Sequence, residues 1–450
     1  MDRKRRLAGA ILNVMGGAEP LKAREIAASL DGSDGLGRVE RSEVNSLLYG
    51  ELAGAVLCDP AFRWTLASGS AAGTLEPSGA GRAALLRAIM RLRSGLPPGE
   101  LIRDVTVGFE RFGEPLLEVV SAEPCRRWLW VRGNYGEGKS HALALARDLA
   151  LSEGTAVCHL TADSTSAALN YPQRFLPLLL STLEIPGQAR RGLHEILDSE
   201  LRDPKALGVV TSTVADHLRR ERVLDLETRR ALARLEVLIE ARETAHPDFE
   251  QAIQVVISHL CGRTIGHKAG PGARELVYTL LRLVRSFVSR LGCAGPVLLL
   301  DEVESVYTKL PNPQARMTAR RVLSALCSGP SLQGFRVVMS ITPDALSALR
   351  SDVPSMSSEQ TSLVDEAVAD WASTIADAPT IECKPLQSRD RRELLAKIRC
   401  VYERAYGAQP VGSDWNDTIA TIARADTPVR IMVRRAIDVL DTHRLNHSHG

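Results

Sequence analysis

Three stretches near the start of the chain carry apolar residues at the three- and four-residue spacing of a half-buried helix. Leu7, Ile11, Leu12 and Met15 line one face of Arg3–Met15, Leu21–Leu30 is a second short helix, and Val44, Leu47, Leu48 and Leu52 line Arg41–Leu52. Gly16-Gly17 breaks the first from the second, and the turn-rich loop Asp31–Gly37 (DGSDGLG) separates the second from the third. Ala55–Cys58 and Phe62–Leu66 then read as two short strands around Asp59-Pro60. Three helices and a hairpin predict a winged helix over residues 1–69. The Gly-, Ala- and Ser-rich run that follows predicts a flexible linker over 70–83.

Beyond Arg82 the pattern alternates between helix and strand. Ala83–Arg93 is helical, Arg127–Arg132 (RWLWVR) reads as a buried strand, Ser140–Leu151 as a helix and Ala156–Ala162 as a strand. Residues 173–292 are almost all helical in pattern. Pro296–Leu300 and Arg336–Ile341 are further strands, with the helical stretch Gln314–Cys327 between them. From Ser388 the spacing is helical again, ending with Val429–Leu440. Strands separated by helices predict an α/β fold with a parallel sheet. We place this core at 84–384 and a helical lid at 385–445. No internal repeat is visible.

The loop after the first core strand carries chemistry. Gly133-Asn134-Tyr135-Gly136-Glu137-Gly138-Lys139-Ser140 fits G-x-x-x-x-G-K-[ST], a phosphate-binding loop. Its glycines let the backbone curl so that successive N–H groups face phosphate oxygens. The following helix aims its positive end at the same anion. The nucleotide-binding segment is read as Gly133 to His141, with Lys139 on the β/γ-phosphates and the Ser140 hydroxyl on Mg²⁺. The apolar strand Val297–Leu300 ends in Asp301-Glu302. Asp301 is expected to hold Mg²⁺ and Glu302 to act as general base on the attacking water. A strand–helix–strand passage needs only ~30 residues, so roughly 187–290 reads as a helical insertion. A polar side chain at the end of Arg336–Ile341 could sense the γ-phosphate: Thr342 first, Ser340 second, with a helix cap before Pro343 as the other reading of Thr342. Arg430, in the last helix, is a second candidate for that contact, and Arg316, Arg320 or Arg321 could serve a neighbouring subunit as an arginine finger.

Composition narrows the classes. The chain has 450 residues, 44% hydrophobic and 24% charged, with a formal net charge of +2, which excludes a wholly basic nucleic-acid coat and an acidic disordered chain. Of the 56 cationic residues only eight are lysine, an arginine excess suited to phosphate contacts but also the mark of a coding bias. The eight cysteines are scattered with no C-x-x-C, so neither a disulfide framework nor a zinc site is expected. No apolar run approaches the ~18 residues of a membrane span, and the expected location is the cytoplasm. Within 1–69, nine Lys/Arg balance nine Asp/Glu. Duplex binding draws much of its affinity from phosphate neutralisation, so this unit reads as binding either duplex DNA or a protein. If DNA, the contacts are expected from Arg41, Asn45 and Tyr49 on the third helix and from Arg63 and Trp64 on the wing. Tyr49 and Trp64 read equally well as core aromatics.

The segments GNYGEGKSHALAL, LLLDEVESVY and TPVRIMVRRAIDVLD resemble the ATP-binding proteins of BREX phage-resistance systems, of the BrxD type, which are themselves similar to AAA+ and origin-recognition ATPases. The resemblance extends to Arg93–Pro98, Thr106–Gly108 and Leu291–Gly295 and covers about 84–443. It implies an AAA+-like ATPase using ATP and Mg²⁺ in antiviral defence, with other defence-system proteins and DNA as partners. It also implies a homo-oligomer, since AAA+-like sites often lie between subunits. Two departures stand out: the family's Pro-Arg pair at the lid is Pro428-Val429-Arg430 here, and its Gly-Thr-Pro is Ile341-Thr342-Pro343. The stretch EVNSLLYGEL…FRW is similar to Z-alpha-type winged helices, in which Asn45, Tyr49 and Trp64 would touch a left-handed duplex. This wing is shorter and lacks the paired prolines. The alternative to a turning-over ATPase is a regulatory DNA-binding switch, or a docking scaffold, in which bound ATP sets conformation.

Overall fold

The computed structural model describes residues 3–15, 21–32, 37–49, 56–58, 63–66, 79–121, 127–162, 169–202, parts of 230–241, 246–260, 284–305 apart from 286 and 290, scattered positions of 310–326, 335–351, 379–407, parts of 415–423 and 427–448. The chain folds as two compact units. One joins 1–114 to 392–422 and 433–450; the other joins 115–391 to 423–432.

The first unit opens with helices α1 (Arg3–Val14), α2 (Ala23–Leu30) and α3 (Arg41–Tyr49). Strands β1 (Leu21–Lys22), β2 (Val56–Cys58) and β3 (Arg63–Leu66) form an antiparallel sheet in the order β1-β3-β2. Leu7, Ile11, Ile26, Leu30, Val44, Leu47, Leu48 and Trp64 are buried together, so the three apolar stripes meet as their spacing demands. Leu21 and Lys22 leave the expected second helix and pair with Trp64 and Arg63. The reason is local: Glu25, at the third helical position, accepts the Lys22 N–H at 2.8 Å and starts the helix at Ala23. Asp31 accepts the Val39 N–H at 3.1 Å across the turn-rich loop.

Helix α4 (Gly79–Arg93) starts four residues before the expected Ala83, inside the stretch read as linker. The short helices α5 (Ile102–Val105) and α6 (Gly113–Val120) follow. Residues 79–114 share their unit with residues 392–422 and 433–450. Lys397 Nζ donates to the Thr106 carbonyl at 2.6 Å, Arg82 to the Ala405 carbonyl at 3.2 Å and Arg434 to the Ser94 carbonyl at 2.7 Å. The Tyr402 hydroxyl donates to Asp441 at 2.7 Å, and Arg93 pairs with the same carboxylate.

The second unit is built on a five-stranded parallel sheet: β4 (Trp128–Arg132), β5 (Thr155–Thr161), β6 (Ala294–Asp301), β7 (Arg336–Ile341) and β8 (Thr380–Glu382). The spatial order is β5-β6-β7-β4-β8. The register sets Leu300 beside Met339, Ile341 beside Arg132 and Arg132 beside Glu382. Thus β7 lies between the strand that feeds the glycine-rich loop and the strand that ends in Asp301. Every residue of β7 is buried, as a central parallel strand requires. Helix α7 (Lys139–Ser152) buries Ala142, Leu143, Leu145, Ala146 and Leu149. At the other end of the sheet Arg336 is buried, donating to the Val119 carbonyl at 3.1 Å and the Gly295 carbonyl at 2.8 Å. Desolvation pulls its pKa down to about 10.

The described helices of the expected insertion, α9 (Leu193–Arg202) and α10 (Pro247–Leu260), follow α8 (Pro172–Ser181). Ile196, Leu235, Ile253, Ile257 and Val288 belong to the same hydrophobic cluster as Trp130, Leu298 and Met339 of the sheet. The insertion therefore shares the core of the sheet. Among the described residues three further helices are complete: α11 (Pro343–Ser351), α12 (Ser388–Tyr406) and α13 (Val429–Ser448).

Candidate nucleotide site

Strand β4 delivers the chain to Gly133 at the carboxyl edge of the sheet, where ligands of open α/β sheets bind. The Gly133 N–H donates to the Ile341 carbonyl at 3.2 Å, tying the loop's first residue to the end of β7. A Cβ on Gly133 would lie 2.8 Å from Cys383 Cβ, so the approach of the chain just past β8 requires glycine there. Gly136 and Gly138 are required for a different reason, with φ of 84° and 99°. Glu137 staples the loop: its carboxylate accepts the Asn134 N–H at 2.6 Å and the Asn134 side-chain amide at 3.1 Å. Tyr135 is 74% exposed at the tip. The Ala142 N–H donates to the Gly138 carbonyl at 2.9 Å, and the helix begins.

Lys139 does not project into solvent. Its side chain is 7% exposed, and Nζ donates to the Gly133 carbonyl at 2.9 Å and to the Asn134 carbonyl at 3.4 Å. The ammonium lies 4.9 Å from the centre of the Tyr135 ring and 3.7 Å from a carboxylate oxygen of Glu304. Ser140 is exposed in the first turn of α7. His141 beside it is half-buried, and desolvation pulls its pKa down to about 4, leaving the ring neutral above that pH.

At the end of β6 the buried Asp301 carboxylate accepts the Ser340 hydroxyl. The Glu302 N–H donates to Asp301 Oδ1 at 3.0 Å and to Ser340 Oγ at 2.9 Å. The Val303 N–H donates to the Ser340 carbonyl at 3.1 Å. These bonds hold Glu302 at φ 55°, the one left-handed non-glycine among the described residues. That conformation costs about 1–2 kcal/mol. Glu304 follows in the same turn, 2% exposed. Burial pushes its carboxyl up and Lys139 pulls it down, while Asp301 and Glu302 add to the rise.

The structure thus brings Lys139, Asp301, Glu302 and Ser340 to one end of the sheet and adds Glu304 and Cys383, which no sequence motif singles out. It treats the two strand-end candidates differently. Ser340 is fully buried on Asp301, whereas Thr342 is half-buried and caps α11 with its carbonyl, which accepts the Leu346 N–H at 3.0 Å. Arg430 is exposed in the first turn of α13. The start of that helix is fixed by buried Arg391, which donates to the Thr427 carbonyl at 2.7 Å and to the Leu386 carbonyl at 3.0 Å. Arg316 donates to the Leu310 carbonyl at 3.4 Å; Arg320 and Arg321 lie outside the described residues.

In the first unit, Arg41 and Asn45 are half-buried on α3, and Arg63 is exposed at the start of β3. Tyr49 closes α3, and its side chain lies outside the described residues. Trp64 is 5% exposed within the core of the three helices, the place that its reading as a core aromatic requires.

The donor set suits a hard cation. The Ser140 hydroxyl and the Asp301 carboxylate are oxygen ligands, and no group of three or more His, Cys, Asp or Glu among the described residues forms a ready-made metal cage. Mg²⁺ typically binds this way, with one or two protein oxygens and the rest from phosphate and water.

A parallel sheet with a glycine-rich loop at the end of one strand and an acid pair at the end of another defines a P-loop NTPase-like fold. The chain belongs to the family of BREX system ATP-binding proteins BrxC/D, whose model matches residues 82–260 and 273–448. It is therefore an ATP-binding protein of a phage-defence system. No curated protein and no solved structure matches it. Among the described residues no helix is long and apolar enough to cross a membrane.

Proposed function

We propose that the chain is an AAA+-like ATPase of the BrxD type. It binds Mg-ATP on Gly133–His141, hydrolyses it, and acts in the cytoplasm on duplex DNA together with other defence proteins, as an assembly of several copies. The single observation that carries the reading is the 3.7 Å approach of Lys139 to Glu304, which brings the loop's cation to the turn holding Asp301 and Glu302.

The roles follow from the chemistry. Backbone N–H groups of Gly136 to Ser140 cradle the phosphates, and Lys139 neutralises their charge. Ser140 and Asp301 would hold Mg²⁺, which would supply charge compensation on the departing ADP. Glu302 takes a proton from the attacking water as oxygen bonds to the γ-phosphorus and the bond to the β-bridging oxygen breaks, releasing ADP and phosphate. Ser340 fixes the backbone of Glu302 and is the better placed of the two strand-end hydroxyls; Thr342 and Arg430 remain candidates for sensing the γ-phosphate. A glutamate held at a strained backbone position beside the metal-binding aspartate favours turnover over a passive switch.

The N-terminal part is read as a winged helix because three helices and a β1-β3-β2 antiparallel sheet is that arrangement. Its DNA-facing candidates are Arg41, Asn45 and Arg63.

The test is steady-state ATP hydrolysis with and without duplex DNA. Glu302→Gln should keep ATP affinity and lose turnover, and Lys139→Ala should lose ATP binding. Undiminished affinity in Lys139→Ala, or normal turnover in Glu302→Gln, would overturn the site. Arg41→Ala with Asn45→Ala should weaken duplex binding about tenfold or more, the value of one or two lost base or phosphate contacts. Unchanged binding would make this unit a protein-docking module.

A further inference from the structure

Lys139 is satisfied from two sources. Gly133, Asn134 and Tyr135 belong to its own loop. The Glu304 carboxylate does not: it comes from the turn after β6, and it is 2% exposed where Lys139 is 7% exposed. A buried carboxylate is costly unless a partner compensates it. Desolvation pushes this one up, and Lys139 is the cation that offsets the effect.

We infer that Glu304 is the competing anion for Lys139, a positioning residue that limits nucleotide affinity and draws the lysine back when product leaves. The inference rests on the reading of Lys139 as the phosphate ligand. Phosphate and Glu304 demand the same ammonium group. As Lys139 turns to the β-phosphate, Glu304 loses its cation while staying buried beside Asp301, Glu302 and the incoming polyanion. That loss is subtracted from the affinity for nucleotide. It is recovered when ADP departs and the lysine returns. Glu304 touches no reacting atom in this scheme; it acts through Lys139.

The experiment measures ADP affinity by calorimetry, and the dissociation rate of a fluorescent ADP analogue by stopped flow, on the full chain. The variants are Glu304→Gln, Glu304→Asp and Lys139→Ala. Glu304→Gln keeps the shape and removes the charge. ADP should bind about tenfold more tightly, the scale of one buried charge pair whose desolvation offsets most of its attraction, and most of the change should appear as slower release. Glu304→Asp keeps the charge but withdraws it by one methylene, so its affinity should fall between those of the native chain and Glu304→Gln. A purely structural Glu304 would instead lower the melting temperature of both variants with equal or weaker ADP binding. That outcome overturns the inference if Lys139→Ala still abolishes binding. Native-like binding by Lys139→Ala overturns the site reading itself. Should Glu304→Gln fail to fold, Glu304→Asp carries the test: equal or weaker binding than the native chain overturns the inference.

Discussion

Ser340→Ala is the sharpest probe of the acidic strand end. The Ser340 hydroxyl is fully buried, donates to Asp301 and accepts the Glu302 N–H at 2.9 Å. Removing it deletes a hydroxyl–carboxylate bond, about 1.5–3 kcal/mol. It also deletes one of two acceptors of the Glu302 N–H. The other, Asp301 Oδ1 at 3.0 Å, remains, so that donor is not orphaned and the second loss is near the low end, about 0.5 kcal/mol. The total is about 2–3.5 kcal/mol, which lowers the melting temperature by roughly 3–6 °C for a unit of this size. Glu302 sits at φ 55° against a strain of about 1–2 kcal/mol. Loss of about 1.4 of these kcal/mol from the transition state, through the freed Asp301 carboxylate and the loosened Glu302 backbone, should lower kcat about tenfold. KM for ATP should change little, because Lys139 and the loop are untouched. Thr342→Ala is the matched control. Its backbone carbonyl caps α11, so losing the side-chain hydroxyl should leave the melting temperature within about 1 °C, while a fall in kcat there would report its contact with the γ-phosphate. A native kcat and melting temperature in Ser340→Ala, or a larger drop of melting temperature in Thr342→Ala, would refute this account.

Gly133→Ala should lower both the melting temperature and nucleotide affinity, because its Cβ meets Cys383 Cβ at 2.8 Å; replacing Cys383 by Gly in the same chain should restore part of each, measured as a double-mutant cycle. Tyr402→Phe should flatten the alkaline limb of stability. Burial first, and then the bond to Asp441, push the Tyr402 phenol up to about 12, above its unfolded value of about 10. The protonated form is therefore favoured by folding, and stability present below pH ~10 is lost as pH rises towards 12. Chemical denaturation at pH 9 and pH 11 reads the difference, which should shrink in the variant.

The parts of the site that the sequence reveals are those whose chemistry is written in consecutive residues. The loop Gly133–Ser140 and the run Val297–Glu302 each carry pattern and spacing within a few positions, and their elements appear within one or two residues of expectation. What stays hidden depends on partners remote in sequence. Strand β8 is only Thr-Ile-Glu, too short for periodicity to register, and exists because Arg132 and Val131 offer it an edge. Likewise Leu21-Lys22, left outside the helix by the Glu25 cap, becomes a strand by pairing with Trp64 and Arg63. Ser340 and Thr342 are both hydroxyls near one strand end, and residue type alone cannot choose between them. The pleat can: it directs Ser340 towards Asp301. Glu304 resembles any acid in a surface turn until the turn is seen to fold back over Lys139.

The strand order has a consequence for how the chain is made. Strand β4 is complete at Arg132, but its two neighbours in the sheet, β7 and β8, lie about two hundred residues or more further on. At a synthesis rate of ~5–20 residues per second, the Trp-Leu-Trp-Val segment waits roughly 10–40 s with both edges unpaired. Such a segment is a template for association between nascent chains. Helix α7 is the first material available to cover it, and the helical residues of the insertion, whose apolar side chains share the core of the sheet, come next. The insertion is thus positioned to act as an internal shield during synthesis, so shortening it should show first as insoluble protein at high expression and only afterwards as altered ATP chemistry.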